Sequence, residues 1–243
     1  LIGGLAGDAL TTGSGNTAVG YGTLSVEQAG GRNVAIGWKA LVNQNTGVDS
    51  YNVAVGYEAG ELITTGIQNT MIGGLACDAL TSGTGNVALG FASLSSETTG
   101  NRNTAVGWKS LEQLNNTGSA YNTAFGYEAG LNVSTGIKNT LIGGLAGDNL
   151  TTGSNNILIG YDATASAVGV SNEVTIGDNN ISLLRIPGLG STDGHVLTYE
   201  AASGGIVLKA GGGGGASSLN DLSDVLIDGT SNYFVNIPAG LSG

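Results

Sequence analysis

Apolar residues along the 243-residue chain come in short pulses separated by polar, glycine-rich spacers, and the pulses share one pattern: Asn, a variable residue, Ala, an aliphatic residue, Gly. It reads Asn16-Thr17-Ala18-Val19-Gly20, then Asn33 to Gly37, Asn52 to Gly56 and Asn86 to Gly90. Later copies, some with a substituted Ala or aliphatic position, run Asn103 to Gly107, Asn122 to Gly126, Asn139 to Gly143 and Asn156 to Gly160. The motif glycines fall at Gly3, Gly20, Gly37, Gly56, Gly73, Gly90, Gly107, Gly126, Gly143, Gly160 and Gly177. Their spacings are 17, 17, 19, 17, then 17, 17, 19, 17, then 17, 17. Four coils add up to 70 residues, and residues 1–70 align with 71–140 without a gap at 39 identical positions, the mark of a duplicated cassette in a stacked array.

A coil of 17 residues with a central glycine cannot hold the two glycine-poor amphipathic segments of a helical repeat. The pattern predicts an all-β parallel β-roll or β-solenoid of about eleven 17–19-residue coils. Each coil has one or two short strands joined by turns such as Thr11 to Gly15 and Thr81 to Gly85. Stacked at roughly 4.8 Å per strand, the coils make a rod of about 50 Å. The two extra residues in every fourth coil, around Asn45–Ser50 and Asn115–Ala120, are expected to bulge outward, because the flanking strands keep their phase.

Side chains alternate along a strand, so one face of the motif carries Val19, Ile36, Val55 and their successors, and the other carries Ala18, Ala35, Ala54 and theirs. Both faces are apolar, as in strands covered on both sides. A thin solenoid buries only its inner face by itself. The second face therefore predicts self-association around a fibre axis.

Composition narrows the class further. Forty-five glycines, two prolines and 10% charged residues are unlike an ordinary globular domain, yet no Gly-X-Y period runs through the chain and collagen is excluded. The 40% hydrophobic content is enough to bury a core. A net charge of −11, about −33 in a homotrimer, disfavours nucleic acid and anionic lipid as partners. Apolar runs broken every few residues by Gly, Asn or Thr argue against membrane insertion, and no signal peptide is read. Because the chain opens inside a repeat, a longer parent protein is expected on both sides. Cys77 stands where its sister coils carry Gly7 and Gly147, which points to an inert packed thiol.

The motif resembles the head repeats of trimeric autotransporter adhesins and the Asn-Thr-Ala-Val-Gly-Tyr repeats of phage tail fibres, over residues 1–180. That resemblance implies a trimer of parallel β-rolls, each chain winding its own left-handed coil with one sheet facing the threefold axis. The 17–19-residue coils are longer than the tightest adhesin-head repeats.

The repeat domain is placed at 1–180, as cassettes 1–70 and 71–140 and a partial 141–180, with Asn172–Asn180 as the last coil. A β-hairpin connector at 181–210 is read from Gly194–Glu200 and Ile206–Ala210. A glycine-rich linker at 211–217 precedes the start of a further fibre module at 218–243, where Leu219, Leu222 and Val225 are spaced for one helical turn. This succession is similar to modules of phage tail fibres, which favours a phage fibre over a bacterial adhesin.

Candidate chemistry is sparse. The single histidine, His195, rules out a His-containing triad or multi-histidine metal site within one subunit, and it reads as a solvated residue at a strand start. A glycosidase needs two facing carboxylates, but the repeated acids, Glu58 with Glu128 and Asp8 with Asp78 and Asp148, recur four coils or about 19 Å apart. They read as turn caps or as partners of Lys39, Lys109, Arg32 or Arg102. The calcium nonapeptide Gly-Gly-x-Gly-x-Asp is missing, and the Gly211–Gly215 run lacks the Lys of a phosphate loop. No catalytic, cofactor or metal residue is assigned.

One column carries a binding expectation. The residue after the motif glycine is aromatic at Tyr21, Trp38, Tyr57, Phe91, Trp108, Tyr127 and Tyr161. Such rings suit sugar faces, whereas a packing ladder explains recurrence in coil after coil more simply. The sequence is thus expected to encode a non-enzymatic, extracellular fibre segment of a virion. It would be a rigid trimeric spacer joined to other fibre proteins, serving attachment to a host glycan or outer-membrane receptor. A surface adhesin head of a bacterium is the alternative, and a glycan-degrading tail spike is disfavoured by the missing carboxylate pair.

Overall fold

The computed structural model describes residues 1–181 and the backbone of His195–Glu200 and Gly205–Ala210. The chain divides into two units, Leu1–Ser182 and Leu183–Gly243. Among the described residues there is no helix. The strands are β1 (Thr17–Val19), β2 (Val34–Ile36), β3 (Val53–Val55), β4 (Thr70–Ile72), β5 (Val87–Leu89), β6 (Thr99–Asn101), β7 (Thr104–Val106), β8 (Thr117–Ser119), β9 (Thr123–Phe125), β10 (Thr140–Ile142), β11 (Ile157–Ile159), β12 (Val174–Ile176), β13 (His195–Glu200) and β14 (Gly205–Ala210).

Ten of them form one parallel sheet in the order β1-β2-β3-β4-β5-β7-β9-β10-β11-β12. Nine turns of chain link these rungs, and Ile2 adds a parallel bridge to Val19 at the first rung. Motif aligns on motif throughout: Ala18 pairs Ala35, Ala54 pairs Met71, Leu141 pairs Leu158. Nine steps of about 4.8 Å put β1 and β12 about 43 Å apart. The chain is therefore a β-solenoid, as its period predicts.

The motif glycine sets how closely the rungs approach. Gly90 sits at φ +143, and a Cβ there would run into the carbonyl oxygen of Gly107 on the next rung. An L side chain at this column would strain the backbone and push two coils apart, so the column stays glycine.

The strands bury the Ala lane: Ala18, Ala35, Ala54, Met71, Ala88 and Leu141 are all fully buried. Beside it runs a second lane, Leu24, Leu41, Cys77, Leu94 and Leu111, whose residues sit in the left-handed region at φ 49 to 53. A left-handed leucine costs about 1–2 kcal/mol. Full burial of its side chain, at about 1.5–3 kcal/mol, offsets that strain. Sizes compensate within each coil: Ala88 shares a coil with Leu94 and Ala105 with Leu111, whereas Leu141 shares one with Gly147. A Cβ on Gly147 would lie 2.7 Å from Leu141 Cδ2. Where both positions are small, at Ala54 and Gly60, neighbouring coils supply the bulk, since a Cβ on Gly60 would meet Met71 Sδ at 2.9 Å and Leu41 Cδ2 at 3.1 Å.

The motif asparagine builds a polar spine through this core. Asn86 is fully buried; its Nδ2 donates to the Gly100 carbonyl at 2.8 Å, and its Oδ1 accepts the N–H of Asn103 at 3.0 Å. Asn52, Asn122 and Asn139 repeat both bonds on their own rungs. Each asparagine thereby satisfies one backbone carbonyl and one N–H that the coil geometry would otherwise leave buried and unpaired.

The extra residues of the long coils lie outside this register. Gly47, Val48 and Asp49 are exposed, and so are Thr117 and Gly118, in agreement with an outward bulge. In the second cassette the bulge adds order as well, because β6 and β8 pair in parallel. β13 and β14 pair antiparallel, from His195 opposite Ala210 to Glu200 opposite Gly205. The Gly211–Gly215 run and the Leu219-Leu222-Val225 turn lie outside the described residues.

Candidate functional site

With the Ala lane inward, the alternate positions of every strand face out, and none of the twenty outward positions on the ten rungs carries a charge. Leu89 is 44% exposed and Phe125 57%, with Ile36, Ile72, Ile142 and Ile159 also exposed. An apolar strip of this length on an acidic chain is a contact surface.

The aromatic column borders the strip. All seven of its rings, Tyr21, Trp38, Tyr57, Phe91, Trp108, Tyr127 and Tyr161, are exposed. Tyr21 stacks on Trp38 with centroids 4.6 Å apart, and Trp108 on Tyr127 at 5.0 Å and 7° between planes. Phe91 and Trp108 are wider, at 6.4 Å. Cassette geometry explains the difference: the rung before Phe91 carries Gly74, and a Cβ built there would touch the Phe91 ring at 3.4 Å. Phe91 thus leans over the space its glycine leaves. Stacking uses ring faces along the column, so what is offered outward is mainly ring edges.

The repeated acids do not gather. Glu58 approaches Lys39 at 3.9 Å, with Glu61 closer at 3.3 Å, while Lys109 pairs with Glu112 at 2.9 Å. Arg32 pairs with Asp49 at 2.7 Å. Asp78 is held above the ordinary aspartate range, chiefly by burial, and its Oδ1 has no partner among the described residues. Cys77 is fully buried, and burial, reinforced by Asp78 and Glu97, pushes its thiol far up, away from any nucleophilic role. His195 begins β13.

Two internal carboxylates escaped the sequence reading. Glu27 and Glu97 occupy one position in sister cassettes, and both are buried. Glu27 accepts the Gly30 N–H at 2.7 Å, the Gln44 Nε2 at 3.1 Å and the Thr46 N–H at 3.1 Å. Burial raises its pKa, but these donors together hold it below the usual glutamate value. Glu97 keeps the Gly100 N–H at 2.7 Å, yet Leu114 replaces the amide of Gln44. There burial wins and the pKa is raised. Coil arithmetic could have found this lane, since Glu27, Gln44, Ile63, Leu80, Glu97 and Leu114 keep the 17, 19, 17 spacing.

A second outward feature was also missed. Arg32 lies over the Tyr51 ring and Arg102 over the Tyr121 ring, each with the guanidinium 5.5 Å from the centroid. All four precede a motif asparagine and adopt positive φ, from 55 to 62. Compared with protein-family models, with curated proteins and with solved structures, the chain matches none of them.

Proposed function

We propose that this chain is a non-catalytic segment of a trimeric attachment fibre, acting as a rigid spacer between a particle or cell and its target. The observation that carries the reading is the uncharged outward face of the ten-stranded sheet, where Leu89, Phe125 and their neighbours stay exposed in a single chain. Three copies placed face to face around an axis would cover that strip, while the acidic side chains remain outside it and keep fibres apart. Stiffness follows from the stack, because each rung is bonded through its backbone, its glycine column and its asparagine spine to the next. The resemblance of the repeats, and of the succession after them, favours a phage tail fibre, hence a virion location, other fibre proteins as neighbours, and a host glycan or outer-membrane receptor as target.

Light scattering tests the reading. The expected mass is three times the 23.9 kDa of the chain. Leu89→Asp combined with Phe125→Asp, both outward and away from the core, should disperse the assembly into folded monomers. A wild-type chain that stays monomeric and soluble at every concentration would overturn the proposal.

A further inference from the structure

The duplicated cassette holds two versions of one outward site, and they differ in a way that points to a ligand. In the first, Arg32 lies over Tyr51 and its Nε donates to Asp49 Oδ2 at 2.7 Å. Asp49 fits there because residue 31 is glycine: a Cβ on Gly31 would lie 2.6 Å from Asp49 Oδ1. In the second version Arg102 lies over Tyr121 in the same way, but Asn101 replaces Gly31 and Ser119 replaces Asp49. The internal carboxylate and the glycine that accommodates it are lost together. Asn101 turns its Oδ1 back to accept the Thr84 N–H at 2.7 Å.

Arg102 is nevertheless held in place. Its Nη1 donates to Ser119 Oγ and to Tyr121 Oη, both at 2.8 Å, while the Tyr121 ring supports the guanidinium from below. Both contacts use the same nitrogen. The Nε and Nη2 edge, the pair of parallel donors that matches a carboxylate, has no partner among the described residues. This is an immobilised, exposed guanidinium with its bidentate edge outward, on a chain of net charge −11.

We infer that Arg102, with Ser119 and Tyr121, forms a binding site for the carboxylate of an acidic sugar, and that the sister site at Arg32 is closed by its own Asp49. Asp49 shows which group such an arginine takes: a carboxylate on Nε. The hydroxyls that anchor Arg102 and the half-exposed Tyr121 ring suit a polar ring carrying that carboxylate, a uronic or sialic acid residue. The choice of a sugar over other carboxylates rests on the attachment reading above. The site itself lies within one chain and does not depend on assembly.

Ligand-observed saturation-transfer NMR on the full chain, with methyl glucuronide and N-acetylneuraminic acid as probes and methyl glucoside as the neutral control, tests this. The acidic probes should bind saturably in the millimolar range and weaken with salt, and the glucoside should not bind. Arg102→Lys keeps the charge but removes the bidentate edge, and should weaken binding by about tenfold or more. Asn101→Gly with Ser119→Asp rebuilds the self-closed sister site and should abolish binding. Gly31→Asn with Asp49→Ser should open a second site per chain. Equal signals from glucuronide and glucoside, or an unchanged affinity in Arg102→Lys, would overturn the assignment. So would a change in assembly mass caused by Arg102→Lys, since the edge would then belong to a carboxylate of a neighbouring copy. The mass of the wild-type protein is read separately: a monomer that binds glucuronide sinks the trimer alone, and a trimer that does not bind sinks this site alone.

Discussion

Asn86 sits in the middle of the asparagine spine, and its replacement by alanine isolates what the spine contributes. The side chain is fully buried and makes two short bonds, Nδ2 to the Gly100 carbonyl at 2.8 Å and Oδ1 to the Asn103 N–H at 3.0 Å. Alanine leaves both backbone groups buried without those partners, at about 1–3 kcal/mol each. The added cavity brings the expected loss to about 3–5 kcal/mol per chain. At roughly 2–4 °C per kcal/mol for a chain of this size, the melting temperature should fall by about 6 °C or more. Circular dichroism melts at fixed protein concentration measure it. Gln113→Ala is the control, because that amide bonds Asn132 Oδ1 at 3.0 Å on the exposed surface and should cost less than about 0.5 kcal/mol. Asn86→Asp separates shape from bonding: it keeps the outline but aims an oxygen at the Gly100 carbonyl. It should melt at least as low near neutral pH and recover as the carboxyl takes up a proton. If Asn86→Ala melts within about 2 °C of wild type, the spine is not a closed polar core and the reasoning fails.

Two further predictions follow from the comparison of sister positions. Cys77→Gly relieves a left-handed residue at φ 52 while removing a small buried side chain, so the opposing terms of about 1–2 kcal/mol should nearly cancel, and the melting temperature should move by no more than about 4 °C. Leu114→Gln supplies Glu97 with the amide that Gln44 gives Glu27. In the wild type Glu97 is raised, so its contribution to stability is present below the ordinary glutamate value and lost as pH rises through its folded-state value; Glu27 is lowered and behaves oppositely. The variant should therefore gain stability on going from about pH 4 to about pH 7 relative to wild type, whatever its absolute stability. Melts at the two pH values that show the same difference in both proteins would refute the role given to the amide.

Much of this architecture is legible in the amino-acid sequence because a solenoid repeats its local problem on every coil. The 17- and 19-residue spacings, the glycine column and the alternation around Ala18 and Val19 each reflect contacts with the next copy of the same motif, so periodicity alone locates the rungs and the bulges. The sequence could not say which of the two apolar faces is internal, because both columns are aliphatic; small alanines can close on a second lane of leucines only in three dimensions. Nor could it show that those leucines and Cys77 occupy left-handed corners, a conformation their residue types disfavour and burial makes up for. The opposite fates of Glu27 and Glu97, and of Arg32 and Arg102, were decided by neighbours 17 to 19 residues away, Gln44 or Leu114 and Asp49 or Ser119. Those residues come into contact only when the chain has wound once around the coil, so the tertiary fold alone determines which charges are satisfied internally and which remain open to a ligand.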